Sequence, residues 1–162
     1  MSVFKPNLDK FSSKVFVAPK DDYEVEIAVP KLRVVPIKNG KNAGSNMVII
    51  NIPVRIARNA DGDTEYQNKP MNLDFIINEG EDESFNRVIR FIMCANGIRP
   101  GSDEADEEFR TRFGDLDLSV DVEAGTLGAG YATLQKKFVV VTVDVTSRGD
   151  QLFQKYLGAR PL

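Results

Sequence analysis

The sequence predicts a mainly β domain interrupted by one amphipathic helix. Apolar and polar residues alternate with a period of two through most of the chain, the mark of half-buried strands. Only one long run, EDESFNRVIRFIMCANGIRP at residues 81–100, carries the 3.6-residue period of a helix instead. Size sets the frame. A chain of 162 residues with 42% apolar content and a net charge of -3 is expected to form a single domain with a real core. No internal repeat or dividing linker interrupts it, so the expected layout is an arm (1–20), a core (21–146) and a tail (147–162).

The arm spaces Lys5, Lys10, Lys14 and Lys20 among Phe4, Phe11 and Phe16. Its KVFVA run suits an extra edge strand, or a segment that orders on a partner. Tyr23, Val25, Ile27 and Val29 then alternate with acidic residues and Ala28 as a first strand. Pro30 breaks the pattern before Leu32, Val34, Val35 and Ile37 resume it, as expected of an edge, a bend or a bulge in one long strand. KNGKNAGSN is a turn by composition.

Val48, Ile50, Ile52, Val54 and Ile56 form the apolar face of a second strand. A loop around Asp61-Gly62 leads to a third, with Met71, Leu73, Phe75 and Ile77 inward. In the helical run, Phe85, Val88, Ile89 and Ile92 make the expected buried stripe, with Glu83, Arg87, Arg90 and Cys94 opposite. Asp82 or Ser84 suits the first turn, Gly97 supplies a left-handed stop, Ile98 folds back and Pro100 forbids continuation. SDEADEEFRTRF reads as a short acidic helix or loop presenting Phe109 and Phe113. DLDLSVDVE is the expected fourth strand, with Leu116, Leu118, Val120 and Val122 inward. EAGTLGAGYATLQ is a glycine-rich, flexible connection, KKFVVVTVDV the final strand, and GDQLFQKYLGARPL a weakly amphipathic tail.

Three strands, a helix and two strands is the element order of the OB-fold, a five-stranded Greek-key barrel. The helix falls between strands 3 and 4, with an N-terminal arm and a C-terminal tail outside the barrel. A different β-barrel, or a two-sheet sandwich with one helix, shares the same count.

The runs DDYEVEI, AGSNMVIINIPVRI, NKPMNLDFII, MCANGI and FGDLDLSVDVEAG together resemble small phage proteins of replication and recombination modules, similar to phage OB-fold single-stranded DNA-binding proteins. The resemblance covers most of residues 20–145. It implies single-stranded DNA as ligand, binding by coating rather than catalysis, phage or host replication and recombination proteins as partners, and the host cytoplasm as location. The tail, with Lys155 and Arg160, departs from the acidic C-terminus by which such proteins recruit partners. Self-association through arm or tail is a further expectation. The competing reading is a β-rich virion structural or assembly protein that uses arm and tail as contacts.

Single-strand binding needs cations along a groove and flat side chains for bases to stack on. In an OB arrangement the first loop offers Lys38 and Lys41, the second strand Arg55 and Arg58, and the next loop Tyr66 and Lys69. The glycine-rich connection offers Tyr131, with Lys136 and Lys137 opening the last strand. All nine are expected on one rim. With a net charge of -3 such a site is a local patch, not a wholly basic surface.

The residues argue against chemistry. There is no histidine, the commonest general base and zinc ligand. The one cysteine, Cys94, excludes an internal disulfide and has no base to activate it. Gly125, Gly128 and Gly130 have the wrong spacing for a phosphate loop. Asp115, Asp117 and Asp121 read as a solvated strand face, and Asp61 and Asp63 as a plain turn. No cofactor, metal or catalytic role is expected. MSVFKPNLDKF lacks the apolar stretch of a secretory signal, and no apolar run approaches a membrane span, so no membrane association is expected.

Overall fold

The computed structural model describes residues 3–5, 7–10, 15–41, 43–78 and 80–162. Phe11 and Lys14 of the arm, and the side chain of Lys10, lie outside the described residues. Among the described residues six antiparallel strands make one sheet: β1 (Asp21–Ile27), β2 (Lys31–Pro36), β3 (Asn46–Asn59), β4 (Pro70–Ile77), and, beyond the helices, β7 (Phe138–Arg148) and β8 (Gln151–Arg160). Between β4 and β7 come helices α1 (Asn86–Ala95) and α2 (Asp103–Phe113) and a two-residue ladder of β5 (Val120–Asp121) with β6 (Thr126–Leu127). No helix among them is long and apolar enough to cross a membrane.

β3 organises the sheet. One of its edges pairs with β4, from Val48↔Ile77 to Arg55↔Pro70. Its other edge pairs first with β2, from Pro36↔Asn46 to Lys31↔Asn51, and then with β1, from Ile27↔Val54 to Tyr23↔Asn59. β1 and β2 are thus two halves of one strand, interrupted around Pro30 as the sequence suggests. β1 pairs onward with β7, and β7 with β8. The edges β4 and β8 are not hydrogen-bonded to each other, so the sheet is not a closed barrel. They meet through side chains: the Phe75 and Tyr156 rings lie 5.1 Å apart, and Phe91 of α1 packs on both at 5.5 and 6.2 Å.

The inward faces of β1, β3, β4 and β7 share one core with Val88, Phe91, Ile92 and Cys94 of α1 and with Tyr131 and Leu134. The helix is shorter than its sequence period suggests, because residues 82–85 form a 3-10 turn before it. It also buries more than one stripe. Ile89 and Met93 pack with Ile98, Ala105, Phe109 and Phe113, so α2 covers a second face. Cys94, expected on the polar side, is buried against the sheet, where burial raises its thiol pKa. Gly97, at φ +79°, ends the helix as expected: Gly97 N donates to Cys94 O and Ile98 N to Met93 O, the paired bonds of a Schellman stop. Ser102 caps α2 by accepting from Ala105 N at 3.1 Å.

Three expectations about the second half are corrected. DLDLSVDVE is not a strand of the sheet. Asp117 accepts from the backbone N–H and hydroxyl of Ser119, and Asp121 from Ala124 N, so short acidic side chains hold the backbone in turns instead. The tail is the missing strand: Gly149-Asp150, with Gly149 at φ +61°, turns the chain so that β8 pairs along β7 as far as Val140↔Arg160. The glycine-rich connection is also not a flexible loop. A Cβ on Gly128 would stand 2.3 Å from the carbonyl oxygen of Asp117, and one on Gly130 2.7 Å from it. Residues 129–134 follow as a 3-10 turn whose Tyr131 enters the core.

The described part of the KVFVA run, residues 15–18, forms no strand. It is docked on β8, where the Gln154 side chain accepts from Ala18 N at 2.8 Å and donates to Ala18 O at 3.0 Å. Phe16 packs beside Tyr66 at 5.7 Å.

Candidate nucleic-acid interface

The outer face of the sheet follows from register. Residues directly opposite one another in an antiparallel pair put their side chains on the same face. Val25, Ile56 and Val139 point into the core, so their neighbours Glu26, Arg55 and Phe138 point out. Pro70, Arg55, Glu26 and Phe138 therefore make one row across β4, β3, β1 and β7. Arg55 and Glu26 also line a shallow depression of about 390 Å³ with Ile27, Ala28, Gln135 and Lys136.

Local backbone fixes this corner. Lys136 N donates to Ile27 O at 2.7 Å and Ile27 N to Lys137 O at 2.8 Å, pinning the start of β7 to the end of β1. Lys136 takes φ +69° in doing so, a conformation that a lysine adopts only when its surroundings impose it. Its side chain is exposed.

The nine expected residues divide accordingly. Arg55 and Lys136 come together, and Lys69 is adjacent through the Arg55↔Pro70 pair. Lys38 and Lys41 are exposed on the β2–β3 loop at the other end of the same strands. Nine residues of β3 separate that loop from Arg55, a run of about 30 Å. Arg58 is on the outer face but engaged, 2.9 Å from Glu24. Tyr66 is held between Phe16 and Tyr23, where it anchors the arm, and Lys69 lies 5.7 Å from the Phe16 ring.

Two residues leave the rim. Tyr131 is 1% exposed, and its hydroxyl donates to Leu118 O at 2.8 Å; burial, with Asp117 adding, raises its pKa well above the ordinary phenol value. It offers no ring face to a base. Lys137 turns to the helices, where it donates to Asn96 Oδ1 and lies 6.0 Å from the Phe113 ring.

Other residues join the face. Lys31 and Arg33 of β2 stand opposite Asn51 and Ile49, between the loop lysines and Arg55. Arg33 lies 3.8 Å from Asp74, which accepts from Asn51 Nδ2 at 2.7 Å. Phe138, 39% exposed, supplies the aromatic surface that Tyr131 does not. Its signal is in KKFVVVTVDV: with Val139, Val141 and Val143 inward, Phe138 must face out.

No protein-family description matches the chain. Nor does any curated protein match it as a relative.

The face is mixed in charge. Arg58 and Arg160 are taken by Glu24 and Asp22, the latter at 2.7 Å. Among the described residues Lys31, Lys38, Lys41, Arg55 and Lys136 have no ion pair; Lys31 and Arg55 share the outer face with Phe138, Lys136 lines the depression with Arg55, and Lys38 and Lys41 sit on the loop beyond β2. Such a track suits a flexible polyanion whose flat groups can turn toward the protein.

Proposed function

We propose that the chain is a sequence-tolerant single-stranded DNA-binding protein of phage replication or recombination, acting by coating and not by catalysis. The observation that carries this is the outer-face row of Arg55, Glu26 and Phe138, with Lys136 beside it. Free cations next to an exposed ring are the two parts that sequence-tolerant single-strand binding needs. The pairing pattern supports an OB-like reading. With β1 and β2 as strand 1, the others are β3, β4, β7 and β8, the helix follows strand 3, and the seam between β4 and β8 stays open. The proposed DNA surface is then the outer face of strands 1, 2 and 4 with the loop before strand 2; of these, strand 2 and that loop lie where the fold commonly takes oligonucleotides.

The test is fluorescence anisotropy of labelled oligo-dT across a salt series. Binding should weaken as salt rises, because each neutralised phosphate releases condensed counterion. Arg55→Ala with Lys136→Ala should lower affinity and flatten that slope; Lys38→Ala with Lys41→Ala should do so to a smaller degree. Duplex DNA should bind more weakly, since its bases are already stacked. No binding of oligo-dT at about 50 mM salt, where such contacts are strong, overturns the proposal.

One observation favours the virion-protein reading. Val3, Phe4, Leu8 and Val15 of the arm are 75–91% exposed, as suits side chains that dock elsewhere. That reading predicts concentration-dependent assembly, lost on removal of the arm and indifferent to oligo-dT.

A further inference from the structure

We infer that Glu26 biases this surface toward bases bearing an exocyclic amino group at the position stacked on Phe138, an inference that rests on the outer face being the single-strand surface. Glu26 stands between Arg55 and Phe138 in the same cross-strand row. Cβ atoms of such neighbours lie about 4.5–5.5 Å apart, so a ring lying on Phe138 brings an edge to the carboxylate. Glu24, two residues away on the same face, is engaged by Arg58 at 2.9 Å. Glu26 is half-buried in the depression and has no hydrogen bond or ion pair among the described residues.

A surface that read only phosphates would be stronger without an acid between Arg55 and Lys136, because the acid offsets part of their attraction for a polyanion. The carboxylate therefore has a use other than backbone binding. It accepts hydrogen bonds and donates none, so its natural counterpart is a donor. On their Watson–Crick edges cytosine, adenine and guanine carry amino donors. Thymine presents one N–H flanked by two carbonyl oxygens, which the carboxylate repels. Bases in single strands are free to offer that edge.

Anisotropy titrations of labelled oligo-dC and oligo-dT at neutral pH test this on the full chain. The unaltered protein should bind oligo-dC about five-fold more tightly than oligo-dT, the lower end for one base contact. Glu26→Gln, which keeps the size and adds a donor, should narrow that ratio, chiefly by gaining oligo-dT affinity. Phe138→Ala should weaken both oligonucleotides and remove the difference, because the base is no longer held against residue 26. Tight binding of both with a ratio that Glu26→Gln leaves unchanged overturns the inference while the DNA surface stands. Binding of neither overturns the surface and the inference with it.

Discussion

Two aromatic residues seven positions apart divide the work between core and surface. Tyr131 fills the interior and spends its hydroxyl on Leu118 O, whereas Phe138 leaves part of its ring in solvent. Tyr131→Ala should therefore cost about 3–5 kcal/mol of stability by chemical denaturation, as truncation of a buried aromatic does. Phe138→Ala should leave the unfolding midpoint nearly unchanged and cost about 1–3 kcal/mol of oligonucleotide affinity, as loss of one stacking platform does. The opposite ranking would reassign the binding face. The sequence places a tyrosine in a glycine-rich connection, and composition there suggests exposure. What reverses this is long-range: Gly128 and Gly130 let the segment press against the carbonyl of Asp117, and that contact carries Tyr131 inward. Arg55 and Lys136 were legible because alternation and strand ends are local. Lys137 was not, since its partner Asn96 belongs to the end of α1.

At the scale of elements, period-two segments that stay apolar on one face became strands where expected, from Tyr23 to Ile77 and again from Phe138. The helix stop at Gly97 was equally local in origin. The exchange of roles between residues 115–128 and the tail was not readable from period alone. LDLSVDV alternates as well as β8 does, but its aspartates satisfy neighbouring backbone N–H groups and so draw it out of the ladder. The Gly149-Asp150 pair was a readable hairpin signal. The 115–128 segment still has structural weight because the turn at 129–134 packs against it. Gly128→Ala keeps a backbone conformation open to alanine, at φ -56°, yet drives a methyl against Asp117 O. It should cost about 1–3 kcal/mol, the range for overpacking, in thermal or denaturant unfolding. An unchanged midpoint would mean that the segment moves aside freely.

Across the whole molecule, stability should depend on pH mainly at the alkaline end. Burial, with Asp21 adding, pushes the Tyr23 phenol from 10.0 up to about 12, and burial raises Tyr131 and Tyr156 further. Each holds its proton more tightly folded than unfolded. Their contribution is complete below the unfolded value near 10 and is lost as pH rises through the folded values. Denaturation midpoints should fall steadily above pH 10, in step with delayed phenolate absorbance; a flat profile to pH 12 would contradict the burial of these rings. At the acid end, hydrogen bonds from Thr142 and Arg160 hold the Asp22 carboxyl below its ordinary value of 3.8, so its smaller contribution is lost only as pH falls below that value. The open seam has a consequence of another kind. β8 carries a strand edge without a hydrogen-bonded neighbour, an invitation to pairing between molecules in concentrated solution. Arg87 stands on that edge: its guanidinium lies over the Tyr156 ring and donates to the Tyr156 carbonyl, occupying an acceptor that a foreign strand would need. Arg87→Ala should leave the monomer folded but make concentrated solutions scatter light and bind thioflavin sooner than the unaltered chain. An unchanged rate of aggregation would show that Arg87 does not guard the open side of the sheet.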